Sequence, residues 1–353
     1  MNLGNPKPLM ETNHSTNSLW HMHGYDWVVQ ILREHIIHGT TRHAYLLTGP
    51  QGVGRRTLAV RMAQALNCVN PTSPGEPCFK CRSCKLIERT QHPDVLVIQS
   101  EAIGSKLKVE QIRDLQRSLS LAPYEAQYRV AILLRFEEAN PNAANALLKT
   151  LEEPPPQVKL ILTAESSESV LPTIVSRCEV ICLHPLPVAI VNESLQSHWG
   201  LSPDQALLLA HLSGGCLGSA VRFYQEPERL SLRQEWLEDH MRLLTSSRVE
   251  RFAYAENLTK DKDKKKAVIR PLLEVWLSFW RDVFLLAAGT QNPLVNQDRV
   301  AEIDNLAARL GMENSHRMVV NLEHTIGWLD KNVNPRLALE VLMLNLPVLI
   351  IST

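Results

Sequence analysis

Nine consecutive residues constrain the fold of this chain more than any others: Gly49-Pro50-Gln51-Gly52-Val53-Gly54-Arg55-Arg56-Thr57. A short apolar run, Ala44–Leu47, leads into them and reads as a buried strand. Thr57–Asn67 (TLAVRMAQALN) follows, rich in helix formers and amphipathic in pattern. Strand, glycine loop and helix in that order form the phosphate-loop arrangement. It belongs to sheets whose strands run parallel, with helices as the crossovers.

The surrounding sequence supplies the other elements of such a sheet. Asp26–Ile37 repeats its apolar residues at helical spacing, and Val109–Leu121 is amphipathic. Asp94–Ile98, Arg129–Leu134, Val158–Thr163 and Glu179–Leu183 are apolar runs of strand length, as strands buried on both faces are. Asn140 is placed to cap a helix through Glu153, and the three prolines 154–156 stop it. Strands and helices alternating over 20–184 predict an α/β domain with a mostly parallel sheet. Beyond Pro185 and Pro187 the strand signals cease. Residues 185–228 read as a small helical lid, and 229–353 as an all-α domain with polar breaks at Thr259–Lys266, a solvated loop, and Gly289–Asn296. Residues 1–19 are polar and read as a mobile tail. No internal repeat is evident.

The loop departs from the pattern G-x-x-x-x-G-K-[ST] where chemistry is required. Gly49, Gly52 and Gly54 let backbone N–H groups turn inward around phosphates, and the following helix adds its positive end. The lysine position holds Arg55 and the hydroxyl position holds Arg56. A guanidinium cannot ligate magnesium and repels it. Thr57 comes one residue late, about 100° further around the helix. An acidic residue is also needed at a strand end to hold the metal and the attacking water. The strand ends on Leu134 and Arg135, and Glu137 and Glu138 come later.

A second constellation interrupts the α/β alternation at 68–92: Cys68, Cys78, Cys81 and Cys84, spaced C-x9-C-x2-C-x2-C. Four thiolates suit tetrahedral Zn²⁺, and two-residue gaps let neighbouring sulfurs reach one ion. A closed four-sulfur site has no open position, so the metal would be structural. A set of free thiols or a stray disulfide is the alternative. Cys178, Cys182 and Cys216 are scattered, with Cys182 expected in the core. His35 and His38, three apart with no third ligand near in sequence, read as surface residues.

Lys+Arg and Asp+Glu each number 37 among 353 residues, which argues against this chain being a free-standing electrostatic clamp on nucleic acid. No apolar run reaches the roughly 18 residues of a membrane span. Nothing resembles a secretory signal, so no membrane partner is expected and the cytoplasm is the expected compartment.

Several stretches together resemble a known family. The glycine loop is followed by Leu66-Asn67-Cys68 and the cysteine insertion, then by Asn145-Ala146-Leu147-Leu148-Lys149-Thr150-Leu151-Glu152-Glu153-Pro154-Pro155 and Ser176-Arg177-Cys178. These are similar to the AAA+ clamp-loader subunits of bacterial DNA polymerase III. Asn332–Glu340 resembles the last helix of their collar domain, so the likeness runs over about residues 20–350. It implies an AAA+ α/β domain, a helical lid and an oligomerising collar. It also implies a place in a hetero-pentamer with gamma or tau and delta subunits, which opens a sliding clamp around primer–template DNA. Hydrolysing members keep the loop lysine, the hydroxyl and the acidic strand end. This chain lacks all three and resembles the member with a degraded nucleotide site, for which ATP binding is absent or weak and no intrinsic ATPase is expected. The resemblance makes Arg177 an arginine finger acting in trans on a neighbour's ATP. It makes Lys149 a candidate DNA-backbone contact on a helix facing the central chamber, and places Arg222 in the lid's sensor segment, with a structural role expected. Two other readings stand beside this one: a working gamma/tau-like ATPase using Arg55 with Glu137 or Glu138, and a zinc-dependent nucleic-acid-binding module on an AAA+ scaffold.

Overall fold

A computed structural model describes residues 19–101, 105–260, 265–290, 293–331 and 333–349. Residues 1–18 of the expected tail and 261–264 of the expected loop lie outside them. Leu19 begins a 3-10 turn, Leu19–His21. Thr259 and Lys260 belong to one helix, and Lys265 and Lys266 to the next.

The sheet is five-stranded and parallel throughout. Its strands are β1 (Ala44–Thr48), β2 (Val95–Ile98), β3 (Arg129–Leu133), β4 (Val158–Ala164) and β5 (Glu179–Cys182), in the order β2-β3-β4-β1-β5. Side chains alternate between faces because the strand period is two. Tyr45, Leu47, Val130, Ile132 and Ile161 enter one apolar cluster. Ala44, Leu46, Ala131, Leu133, Leu160 and Leu162 enter the other. The first cluster is covered by α1 (Asp26–Ile37) and α2 (Arg55–Asn67), and the second by α4 (Val109–Leu119) and α5 (Pro141–Glu152). Helices on both faces of a parallel sheet confirm the expected α/β class. Between α2 and β2 lies the cysteine insertion, containing the short α3 (Arg82–Glu88).

At the edge, the sheet corrects one expectation. β5 pairs only with β1, and Cys182, expected in the core, is exposed while Ile181 is buried. An edge strand hides one face of its pleat, and Cys182 lies on the other. His35 is also only half-exposed, with Nδ1 3.2 Å from the Tyr45 hydroxyl.

After a one-turn α6 (Pro172–Val175) and β5, the chain is helical. α7 (Val188–Trp199), α8 (Pro203–Leu212) and α9 (Leu217–Gln225) place Val191, Leu195, Leu209 and Ala220 in the same apolar cluster as Leu47. α10 (Glu228–Thr245), α11 (Arg248–Lys260), α12 (Lys265–Ala287), α13 (Val300–Asp330) and α14 (Pro335–Asn345) enclose a separate core around Trp276, Phe279 and Trp280. In that core Arg251, 2% exposed, donates to the carbonyls of Leu243, Leu244, Leu346 and Pro347 at 2.8–3.2 Å. The carbonyls at the negative ends of α10 and α14 thus satisfy a buried cation that pairs with no carboxylate among the described residues. No helix among the described residues is long and apolar enough to cross a membrane.

Candidate nucleotide and metal sites

Both candidate sites are built on α2, one at each end. At its start the glycine loop leaves β1 at the carboxyl edge of the sheet, where parallel α/β folds place ligands. Gly54 caps the helix with φ 112°, a left-handed conformation that favours glycine. The loop is not an open cradle. The Gly218 N–H on α9 donates to the Gly52 carbonyl at 2.9 Å, and the Ser219 hydroxyl lies 3.4 Å from the Gln51 carbonyl. A Cβ on Gly52 would sit 2.0 Å from Ser219 Oγ, so the lid helix rests on the loop because residue 52 has no side chain.

Arg55 lies partly inside. Its Nη1 is buried without a hydrogen-bond partner among the described residues. Burial lowers its pKa, and the carboxylates of Glu137 and Glu165 oppose that effect. Arg56 and Thr57 are exposed.

Opposite, β3 is followed by Leu134 and by Arg135, which has a left-handed φ of 51°. Arg135 Nε donates to Glu138 at 3.0 Å, and its Nη2 donates to the Ser100 hydroxyl at 3.0 Å. Ser100 in turn donates to Glu138, so that carboxylate is engaged within the fold. Glu137 differs. Its Oε2 is buried and unpartnered among the described residues, and burial pushes its pKa up to about 7 against the pull of Arg55. The cleft therefore holds a guanidinium facing a half-neutral carboxyl, where magnesium chemistry would need an amine, a hydroxyl and an ionised acid.

At the other end of α2 the four cysteines converge. The sulfurs of Cys68, Cys78, Cys81 and Cys84 lie within 4.8 Å of one another, and no other group of potential ligands among the described residues is gathered closely enough to hold an ion. The turns are set by N–H···S bonds: Cys78 N–H to Cys68 Sγ at 3.3 Å, Cys81 N–H to Cys78 Sγ at 3.3 Å, and Cys84 N–H to Cys81 Sγ at 3.4 Å. Burial raises the Cys78 thiol. The N–H groups of Lys80 and Cys81 and the thiols of Cys68 and Cys81 outweigh it and bring the pKa down to about 6. Burial raises Cys84. Convergent sulfurs with donors aimed at them fit a four-thiolate metal site, and the cluster could bind one ion. The module is fastened to α2 by Ser83 Oγ to the Asn67 carbonyl at 2.9 Å and Gln64 Nε2 to the Cys84 carbonyl at 2.8 Å.

Arg177 lies between α6 and β5, away from the chain's own glycine loop in sequence and on the surface. Its Nη1 donates to the Thr173 carbonyl at 2.8 Å, and its Nη2 to Glu152 Oε1 at 2.7 Å. The side chain keeps 36% of its surface exposed. Glu152 is the last residue of α5, whose cap is as expected: Asn140 Oδ1 accepts from the Ala143 N–H at 2.8 Å. Lys149 is exposed on the same helix.

Family profiles match both halves of the chain: "DNA polymerase III, delta subunit" over residues 25–187 and "DNA polymerase III, delta subunit, C terminal" over residues 227–347. The chain belongs to the DNA polymerase III clamp-loader family. Among its relatives, the delta' subunit of Bacillus subtilis is 29% identical over 320 residues, covering 90% of this chain and 95% of that protein. The delta' subunit of Pseudomonas aeruginosa is 40% identical over 191 residues, covering 53% of this chain and 57% of that protein. The tau subunit of Escherichia coli is 32% identical over 203 residues, covering 56% of this chain and 31% of that protein. The match to the Bacillus subtilis delta' subunit thus runs over a greater length than the match to tau.

Some residues that shape this clamp-loader subunit's cleft escaped the sequence. Glu165 follows β4, accepts the Gly49 N–H at its carbonyl (3.1 Å), and has its carboxylate 3.4 Å from Arg270 of α12. Its place at a strand end was a usable signal. Arg270, 105 residues away, offered none. Arg222 is exposed on α9, and its guanidinium makes no bond among the described residues.

Proposed function

We propose that this chain is the delta'-type subunit of a DNA polymerase III clamp loader, unable to hydrolyse its own nucleotide and supplying Arg177 to a neighbour's. The observation that carries the reading is the contrast between the cleft and the finger. Arg55, Arg56 and Arg135 stand where catalysis needs a lysine, a hydroxyl and an acid, and a surface-held guanidinium follows Ser176. A cation against a γ-phosphate stabilises charge that builds in the transition state. Such a finger in trans raises rates by about 10³–10⁵ in GTPases. The Arg177–Glu152 pair does not oppose this, because an exposed ion pair is worth about 0–1 kcal/mol. Releasing it to reach a partner costs little, and until then Glu152 and Thr173 hold the guanidinium in one place.

In this reading the partners are gamma or tau and delta subunits in a hetero-pentamer, with the sliding clamp and primer–template DNA engaged through the complex in the cytoplasm. The domains divide at 20–184, 185–228 and 229–353, and the last serves oligomerisation. Cys68, Cys78, Cys81 and Cys84 hold one Zn²⁺, which cross-links the insertion and does no chemistry. Lys149 contacts the DNA backbone. Gly49, Gly52, Gly54, Arg55, Arg56 and Thr57 are a nucleotide site in outline only.

A second reading is favoured by one observation: Glu137 approaches Arg55 electrostatically, as a relocated acid would. The loop's missing lysine and hydroxyl, replaced by Arg55 and Arg56, weigh against it. The purified chain with MgATP separates the two. We expect no turnover, even after Arg55→Lys with Arg56→Thr, because the strand-end acid is still missing. Steady hydrolysis abolished by Glu137→Ala would establish the working ATPase instead.

A further inference from the structure

The charges of the cysteine module are sorted in a way the chain's zero net charge conceals. Between Cys68 and His92 there are four cations, Lys80, Arg82, Lys85 and Arg89, and two acids, Glu76 and Glu88. Both acids are paired with arginines outside the module: Glu76 with Arg33 at 3.6 Å, and Glu88 with Arg61 of α2. All four cations are exposed, and none pairs with a carboxylate among the described residues. Arg82 and Lys85, three residues apart, lie on one side of α3, and Arg89 follows directly at its C-cap. The other face of α3 buries Ser83, Cys84 and Ile87 against the protein.

We infer that this face of the module is a docking surface for the phosphodiester backbone of nucleic acid. Exposed cations that outnumber the module's acids four to two, with both acids already paired to arginines outside it, are complementary to a polyanion. Such binding requires only cations and reads no sequence. A protein partner would instead need a buried apolar or aromatic anchor at the centre of the contact. Val69 is the one large exposed apolar side chain of the module, and it lies outside α3. Phe79 is not free to stack on a base: His21 covers it at 4.4 Å and the Arg61 guanidinium at 5.0 Å. The contact is therefore electrostatic and indifferent to sequence. It does not depend on the role given to Arg177.

The test is fluorescence anisotropy of the full-length, metal-loaded chain with a labelled oligothymidylate, titrated with salt. The variant Lys80→Gln/Arg82→Gln/Lys85→Gln/Arg89→Gln should bind at least about tenfold more weakly at low salt. Its slope of log affinity against log salt should be shallower by about 3, since each phosphate contact on a single strand contributes about 0.7. Exchanging each lysine for arginine and each arginine for lysine should preserve binding. Metal analysis and a melting curve check that the variant is folded. If it loses its metal, Lys85→Gln/Arg89→Gln, beyond the last cysteine, should give about half the change in slope. No binding by the wild-type chain, an unchanged slope in the variants, or equal competition by polyglutamate would overturn the assignment. None of these would bear on ATPase in the assembled loader.

Discussion

One helix carries two candidate sites whose residues contrast. At the end of α2, Cys68 joins three other cysteines whose sulfurs converge within 4.8 Å, with N–H donors aimed at them. At its start, Gly54 still caps the helix as a phosphate loop does, yet Arg55 faces a buried carboxyl and the lid rests on Gly52. The glycines of the loop also serve packing: the Gly52–Ser219 approach needs a missing side chain whether or not phosphate is present. A glycine motif alone therefore does not report chemistry. The side chains that would touch metal and phosphate carry the functional information.

The contrast can be attacked at either end. The largest effect is expected at the cysteine module. Cys81→Ser with Cys84→Ser should abolish metal binding and cost at least about 3 kcal/mol of stability, since metal affinity is folding energy for such modules. Metal analysis and thermal melting check this, and an unchanged melting temperature would show that the sulfurs carry no metal. At the loop, Gly52→Ala should destabilise the chain by about 2 kcal/mol through the clash with Ser219 and the positive φ of 82°. Denaturant unfolding of the nucleotide-free protein reads it. No loss there would mean that the lid does not depend on the loop.

The smallest effect depends on pH. Burial raises the Glu137 pKa from its ordinary 4.5 to about 7, so the folded state favours the protonated form. That contribution is full below the unfolded value and is lost as pH rises through about 7. Glu137→Gln should therefore leave stability unchanged near about pH 4 and raise it near about pH 8. A wild-type chain that is no less stable than the variant at the higher pH would mean that Glu137 is solvated.

How much the sequence disclosed follows from the range of the interactions. Strand limits were legible to within about a residue because apolar runs and their polar ends are local: Arg129–Leu134 became Arg129–Leu133, and Val158–Thr163 became Val158–Ala164. α2 began at Arg55 rather than Thr57, since the left-handed Gly54 starts the helix and arginine is a good helix former. The cysteine site was legible from spacing alone. Cys182 was misplaced because a sequence does not say which strand forms the sheet edge. The buried network of Arg251 depends on carbonyls up to 96 residues away, and the lid-on-loop contact joins residues 168 apart. No local pattern announces either. Glu137 lay between: its presence was visible, but its burial against Arg55 was not.

The central claim is most directly tested by the ATPase of a clamp loader reconstituted with this chain, comparing wild type with Arg177→Ala. The account predicts that the variant folds, keeps its metal and assembles, while DNA- and clamp-stimulated hydrolysis falls by at least about tenfold, within the scale of fingers acting in trans. Hydrolysis and clamp loading at the wild-type rate would contradict it, and would leave Arg177 as nothing more than the surface partner of Glu152.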